Sequence, residues 1–235
     1  MKTLDRFALV ALCGACLSLA TAAHAARFHP ALELEGGAGT ITFSADEGTD
    51  GVHPKFGPSF GVGVTVGADP AARFAVRTGA FYRHSRSRWE FDGSSYPAAY
   101  RTTTRLSTLR VPVRVSFAPA AAGHWRLEGG VTGRWLFKAT RDLEMSDAIP
   151  LRPEHADAVI FESLGGEADV TDRTRRGDVL LSVGAGWHGV IAGHDTGCTA
   201  RFEQGLYDLA LDEPTRHMSD RSIQLGLSIG WSVAD

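Results

Sequence analysis

The chain has 235 residues, a formal net charge of −3 and 22% charged residues. The near-neutral balance, with no Lys/Arg run, excludes an electrostatic nucleic-acid binder, and the charged fraction excludes a wholly disordered acidic or basic chain. Beyond the N-terminus no apolar run reaches the roughly 20 residues of a spanning helix, which excludes a polytopic helical membrane protein.

In chain order, residues 1–25 read as a secretory signal. Lys2 and Arg6 form the basic end, Phe7 to Ala23 is uncharged and mostly apolar, and Ala23-His24-Ala25 has the small-x-small form of a cleavage site. The rival reading is a lipoprotein with Cys16 as the lipidated residue. A single domain, 26–235, remains, and Cys198 is its only cysteine, so no internal disulfide forms.

From there the pattern has period two, the mark of strands with two unlike faces. A first strand over about Ala31–Phe43 sets Leu32 and Leu34 against Glu33 and Glu35. Phe60, Val62, Val64 and Val66 then alternate with Ser59, Gly61, Gly63 and Thr65. Next, Phe74, Val76, Thr78, Ala80 and Tyr82 oppose Arg77, Gly79 and Arg83. Leu109, Val111, Val113, Val115 and Phe117 oppose Arg110, Pro112, Arg114 and Ser116. Trp125, Leu127, Val131, Trp135 and Phe137 oppose Arg126, Glu128, Thr132, Arg134 and Lys138. Val179, Leu181, Val183, Ala185 and Trp187 oppose Ser182, Gly184, Gly186 and His188. A weaker strand over about Thr199–Leu209 sets Ala200, Phe202 and Leu206 against Arg201, Glu203 and Tyr207. Finally Ile223, Leu225, Leu227, Ile229, Trp231 and Val233 oppose Gln224, Gly226, Ser228, Gly230 and Ser232. Eight strands of about ten residues each match the length that crosses a bilayer at a tilt.

The connections, about 45–55, 68–72, 84–103, 118–123, 139–177, 192–197 and 210–220, alternate long and short. Outer-membrane barrels alternate in this way, with short periplasmic turns and long external loops. The polar face is rich in Gly, Ser and Thr, which suits a narrow lumen, and aromatic residues gather near the strand ends as girdles would. The reading is therefore an all-β, eight-stranded antiparallel up-and-down transmembrane barrel of the bacterial outer membrane. Its inverse, a soluble periplasmic lipocalin-like carrier with the apolar face inside, is the alternative. On the polar face Glu33, Glu35, Glu128 and Glu203 are set to pair with Arg77, Arg110, Arg114, Arg126, Arg134 and Arg201 as a lumen charge network. All basic residues but Lys2, Lys55 and Lys138 are arginine, whose planar fork suits carboxylates in a confined space. Eight strands enclose a space that side chains fill, so these charges read as a packed plug before they read as a selective pore.

Leu109-Arg110-Val111-Pro112-Val113 resembles the "L-x-[IV]-P" strand of the PorT-like outer-membrane β-barrel family. The short turn and Gly-bearing strand His124-Trp125-Arg126-Leu127-Glu128-Gly129-Gly130 are similar to the next strand of that family. Arg201-Phe202-Glu203-Gln204-Gly205-Leu206-Tyr207-Asp208-Leu209 resembles its penultimate strand. The resemblance implies the barrel fold and an accessory role in secretion. The last aromatic residue is Trp231, with Ser232-Val233-Ala234-Asp235 after it, whereas such barrels commonly end on an aromatic residue.

No P-loop, G-x-S-x-G, H-E-x-x-H or paired C-x-x-C is present after residue 25. Glu154-His155-Ala156-Asp157 reads as a short loop helix behind Pro153 rather than as a metal site. His188 reads as a hydrogen-bonded lumen residue. His84, Ser85 and Ser87 at an outer strand end hint at a lipid-modifying enzyme, but no third orienting group is legible. The expectation is a non-enzymatic protein with no cofactor and no metal, and with a structural or interaction role. Its partners are outer-membrane lipid and a protein, cation or surface ligand at loop 139–177, which carries nine acids and five bases.

Overall fold

The computed structural model describes residues 28–45, 52–71, 73–91, 100–120, 123–145, 166–207, 209 and 216–230. The signal at 1–25, the Glu154–Asp157 segment and Trp231 lie outside them. Among the described residues ten strands run in sequence: β1 Phe28–Ala45, β2 Val52–Lys55, β3 Gly57–Ala71, β4 Phe74–Phe91, β5 Tyr100–Phe117, β6 Trp125–Met145, β7 Gly166–Asp169, β8 Gly177–Ile191, β9 His194–Gly205 and β10 Arg216–Gly230. They make eight staves. β2 and β3 both pair with β4 and are parted only by Phe56. β7 and β8 both pair with β6 and are parted by a segment holding one 3-10 turn, Thr171–Arg173. Each stave is antiparallel to its neighbours, and β1 closes the ring on β10 from Ala31↔Gly230 to Ala45↔Arg216. A closed ring leaves no sheet edge unpaired, which is the condition for β-structure inside lipid.

The sidedness of the strands is the reverse of a soluble barrel. Val64 is 61% exposed and its neighbour Thr65 only 1%. On β10, Ile223, Leu225, Leu227 and Ile229 face out, while Ser222, Gln224 and Ser228 are buried. This overturns the lipocalin-like alternative. The apolar band is framed by exposed rings, Phe74 and Trp125 at the short-turn end and Phe60, Tyr82 and Trp135 at the other. From Trp125 to Trp135 the chain advances about ten residues, which at about 3.4 Å each and a tilt of about 40° gives a band about 26 Å tall. That is the hydrocarbon thickness an outer-membrane barrel covers.

Most strands run well beyond ten residues, to 18 in β4 and β5 and 21 in β6. Much of the expected loop 84–103 is strand, as are both ends of 139–177. The reason is an inversion of polarity along the strand. Past the aromatic rim, the inward residues become apolar: Ile41, Trp89, Leu106, Leu136 and Ala139 form a buried cluster with Val170 and Leu209. The outward residues become charged, with Lys55 near Glu90 and Arg105 near Asp142. Trp89 anchors this small core by donating Nε1–H to the Ile41 carbonyl at 2.8 Å. The barrel is thus a membrane cylinder with a water-facing stub continuing from one end.

Two local features correct the expected register. Ser107 pairs with Lys138 while Thr108 pairs with Leu136, so Phe137 is an inserted residue. This β-bulge shifts the phase. Lys138, expected on the lumen face with Arg134, is exposed outside, whereas Leu136 and Ala139 are buried. The connection expected at 192–197 is shorter, the two-residue pair Ala192-Gly193 at φ 52° and 81°. Two successive positive φ values match the twist of tight hairpins, so His194 to Gly197 are free to pair in β9.

Candidate functional site: a closed lumen and an external stub

Inward-facing residues of one strand recur every second position, so long side chains from opposite staves meet across the narrow ring. They meet here in two groups. In the first, Arg114 of β5 donates to Glu33 Oε1 at 3.0 Å and Glu35 Oε1 at 2.9 Å, both on β1. Arg201 of β9 bonds the same two carboxylates from the far side, reaching Glu35 at 3.1 Å and Thr199 Oγ1 at 3.0 Å, with a closer contact to Glu33. In the second, Glu203 accepts from Arg83 at 3.0 Å and Arg110 at 2.6 Å. Arg134 then joins Asp220 at 2.5 Å to Asp178 at 2.6 Å. Five buried arginines thus face five buried carboxylates, and each charge has a partner of opposite sign within the ring.

Toward the short turns, Glu128 meets His188 Nε2 at 3.3 Å. His188 is therefore hydrogen-bonded in the lumen. Arg77, expected to pair with the lumen glutamates, is half-buried, and none of the described carboxylates forms an ion pair with it. Arg126 stands apart at the rim, 3.9 Å from Asp69 and 3.5 Å from Ser116 Oγ.

The structure adds Arg83, Asp178 and Asp220 to the charge network singled out from sequence. Arg83 falls on the lumen face already in the sequence pattern. Asp178 and Asp220 sit at strand ends that the polar stub disguises as loop.

Small residues make room for this network. A Cβ on Gly226 would collide with Arg201 Nη2 and stand 2.8 Å from Thr199 Oγ1 and 3.2 Å from Glu33 Oε1. On the outward face, a Cβ on Gly36 would have nothing within 4 Å. Gly226→Ala is therefore expected to destabilise the folded barrel by about 1–3 kcal/mol through overpacking, and Gly36→Ala to leave it unchanged. Urea titration of the two variants in detergent micelles checks this, and equal midpoints would contradict the crowded lumen.

At the opposite end of the band, His84 Nδ1 lies 3.2 Å from Ser107 Oγ on the outward face. Ser85 and Ser87 point to the other side of the strand, so the grouping His84, Ser85 and Ser87 is not assembled. Among the described residues no carboxylate pairs with His84. Higher on the stub, Phe137, Lys138, Asp169, Thr171, Asp172 and Arg176 line an open depression. The Thr171 hydroxyl and backbone N–H both donate to Asp169, at 2.6 and 2.9 Å, and hold its carboxyl below the usual range. No group of three metal-ligating side chains occurs among the described residues.

No family model matches the chain, and neither does any curated protein. Among solved structures it is similar to Neisserial surface protein A, with 11% identity over 85% of this chain and 97% of that one and a TM-score of 0.41. It is also similar to Ail, the attachment invasion locus protein of Yersinia pestis, with 12% identity, 86% and 98% coverage and a TM-score of 0.38. The outer membrane protein OprG from Pseudomonas aeruginosa shows 8% identity, 88% and 98% coverage and a TM-score of 0.39. At such identities the assignment rests on this chain's own features. A closed ring, an apolar band of bilayer height and a charged, filled lumen make it an integral outer-membrane β-barrel.

Proposed function

We propose that this barrel does not conduct and does not catalyse, and that its task lies outside the bilayer, where the stub and the segment between β6 and β7 dock another protein. One observation carries the reading: the strands continue past the membrane band as a stub with its own apolar core, while arginine–carboxylate pairs cross the lumen beneath it. A pore has no use for a filled lumen, and a bare membrane anchor has no use for strands of 18 and 21 residues. The region 139–177, with nine acids against five bases, favours a partner with a basic face. The resemblance to PorT-like barrels supports an accessory role in secretion for that contact. His84 faces outward while Ser85 and Ser87 face the other way, which supports a non-enzymatic reading over a lipid-modifying one.

The test is affinity capture from detergent-solubilised outer membranes, comparing the full chain with a variant whose residues 146–165 are replaced by a short Gly/Ser linker. One stoichiometric partner retained by the full chain and lost from the variant is the expected result. Steady single-channel conductance of the purified barrel in planar bilayers, with no captured protein, would overturn the reading.

A further inference from the structure

The outward face of β4 carries a column of basic residues just above the apolar band. Tyr82, His84, Arg86 and Arg88 succeed one another at every second position, so they stand in one line up the outside of the barrel. Tyr82 belongs to the aromatic rim. His84 lies against Phe60 of β3, with ring centroids 5.6 Å apart. The next two rows are basic, and their cross-strand neighbours are basic as well: Arg86 is paired with Arg105 of β5, and Arg88 with Lys55 of β2. Like charges directly opposite each other destabilise a sheet.

Part of this charge is neutralised by protein. Arg105 lies 3.4 Å from Asp142 and 3.6 Å from Glu167, and Lys55 lies 3.7 Å from Glu90. Glu90 is shared with Arg101 at 3.5 Å. None of the described carboxylates pairs with Arg86 or Arg88. Two guanidinium groups without a counter-charge among the described residues, each beside another cation, make a seat for an anion with several oxygens, for which the planar fork of arginine is suited.

The height of the column identifies the occupant. Arg86 is two rows above Tyr82, roughly 14 Å along the strand, so its charge lies where lipid headgroups begin. Directly below, Phe60, Tyr82 and Val62 offer the surface on which acyl chains lie. We infer that Arg86 and Arg88, flanked by Arg105 and Lys55, bind the phosphate of a phosphorylated outer-leaflet lipid whose acyl chains run down the Phe60–Tyr82 face. A free soluble anion would satisfy the charges and leave the apolar surface beneath them unused.

The full chain, folded in a zwitterionic detergent, is titrated with bis-phosphorylated lipid A, with the same lipid stripped of phosphate, and with inorganic phosphate, and bound lipid is counted by native mass spectrometry. The phosphorylated lipid is expected to bind at least about tenfold more tightly than the stripped one. Arg86→Gln combined with Arg88→Gln is expected to remove most of that difference. Arg176→Gln, which alters a basic residue of the stub paired with Asp172, is expected to preserve it. Equal binding of the two lipids, an unchanged preference in the double variant, or displacement by inorganic phosphate at matching concentration would each overturn the inference. If the double variant does not fold, the comparison of the lipids on the unaltered barrel still decides, and none of these outcomes depends on a protein partner.

Discussion

Glu203→Ala is expected to destabilise the barrel by about 3–5 kcal/mol, the cost of leaving a buried charge without its partner. Glu203 is 1% exposed and holds two arginines, Arg83 and Arg110, which are themselves 1% and 3% exposed. After the substitution Arg110 keeps only Asp220 at 3.7 Å, and Arg83 keeps only the neutral Ser59 hydroxyl. The two guanidinium groups then repel each other in a space closed to bulk water. Replacing all three together, with Glu203→Leu, Arg83→Met and Arg110→Met, is expected to recover most of the loss, because apolar groups of similar volume often equal a buried ion network in stability. Urea titrations followed by the gel shift between folded and unfolded barrel measure both variants. A harmless Glu203→Ala would mean that the lumen is wet enough to solvate the two arginines.

The second large effect is expected from a charge placed on the lipid face. Val64→Arg puts a guanidinium near the middle of the apolar band and is expected to cost about 2–4 kcal/mol. It should reduce the amount of folded protein recovered in outer membranes. Val64→Leu, which exchanges one apolar surface for another against lipid, should be silent. One residue on, Thr65 is packed inside, where its methyl group lies against the backbone of Gly79. Thr65→Trp should overpack the lumen by about 1–3 kcal/mol, whereas Thr65→Ser should be tolerated. The contrast between adjacent positions is the diagnostic. If Val64→Arg and Thr65→Trp both assemble normally, the two faces of β3 are not divided between lipid and lumen.

Within the bilayer the fold is legible because lipid imposes one rule on every strand. Val62, Val64 and Val66 alternate with Gly61, Gly63 and Thr65, and no tertiary detail is needed to read them. Outside the bilayer the rule changes sign. Arg86, Arg88 and Arg105 face out while Ser87, Trp89 and Leu106 face in, and tracing apolar residues outward gives only an irregular, polar stretch. The bulge at Phe137 moves the phase by one residue, which puts Lys138 outside the barrel rather than in the lumen. The lumen arginines and glutamates are legible from their alternation. Their pairing is not, because Arg114 meets Glu33 across the ring at a separation of 81 residues, and strand tilt sets which rows coincide. Asp178 and Asp220 are hidden for the same reason as the stub, since each lies where one pattern gives way to the other.

The reversal of polarity along the staves also acts as a depth gauge. Sinking the barrel by one row would move Arg86 and Arg105 about 7 Å along the strand toward hydrocarbon, and lifting it by one row would bring Phe60 and Tyr82 into water. Both displacements are opposed, so the vertical position of the barrel is pinned to within about a single row. The stub is stiffened by its own buried cluster around Trp89 and Leu106. Whatever rests on it is therefore held at a fixed distance from the membrane surface, as on a surveyor's mark rather than a float.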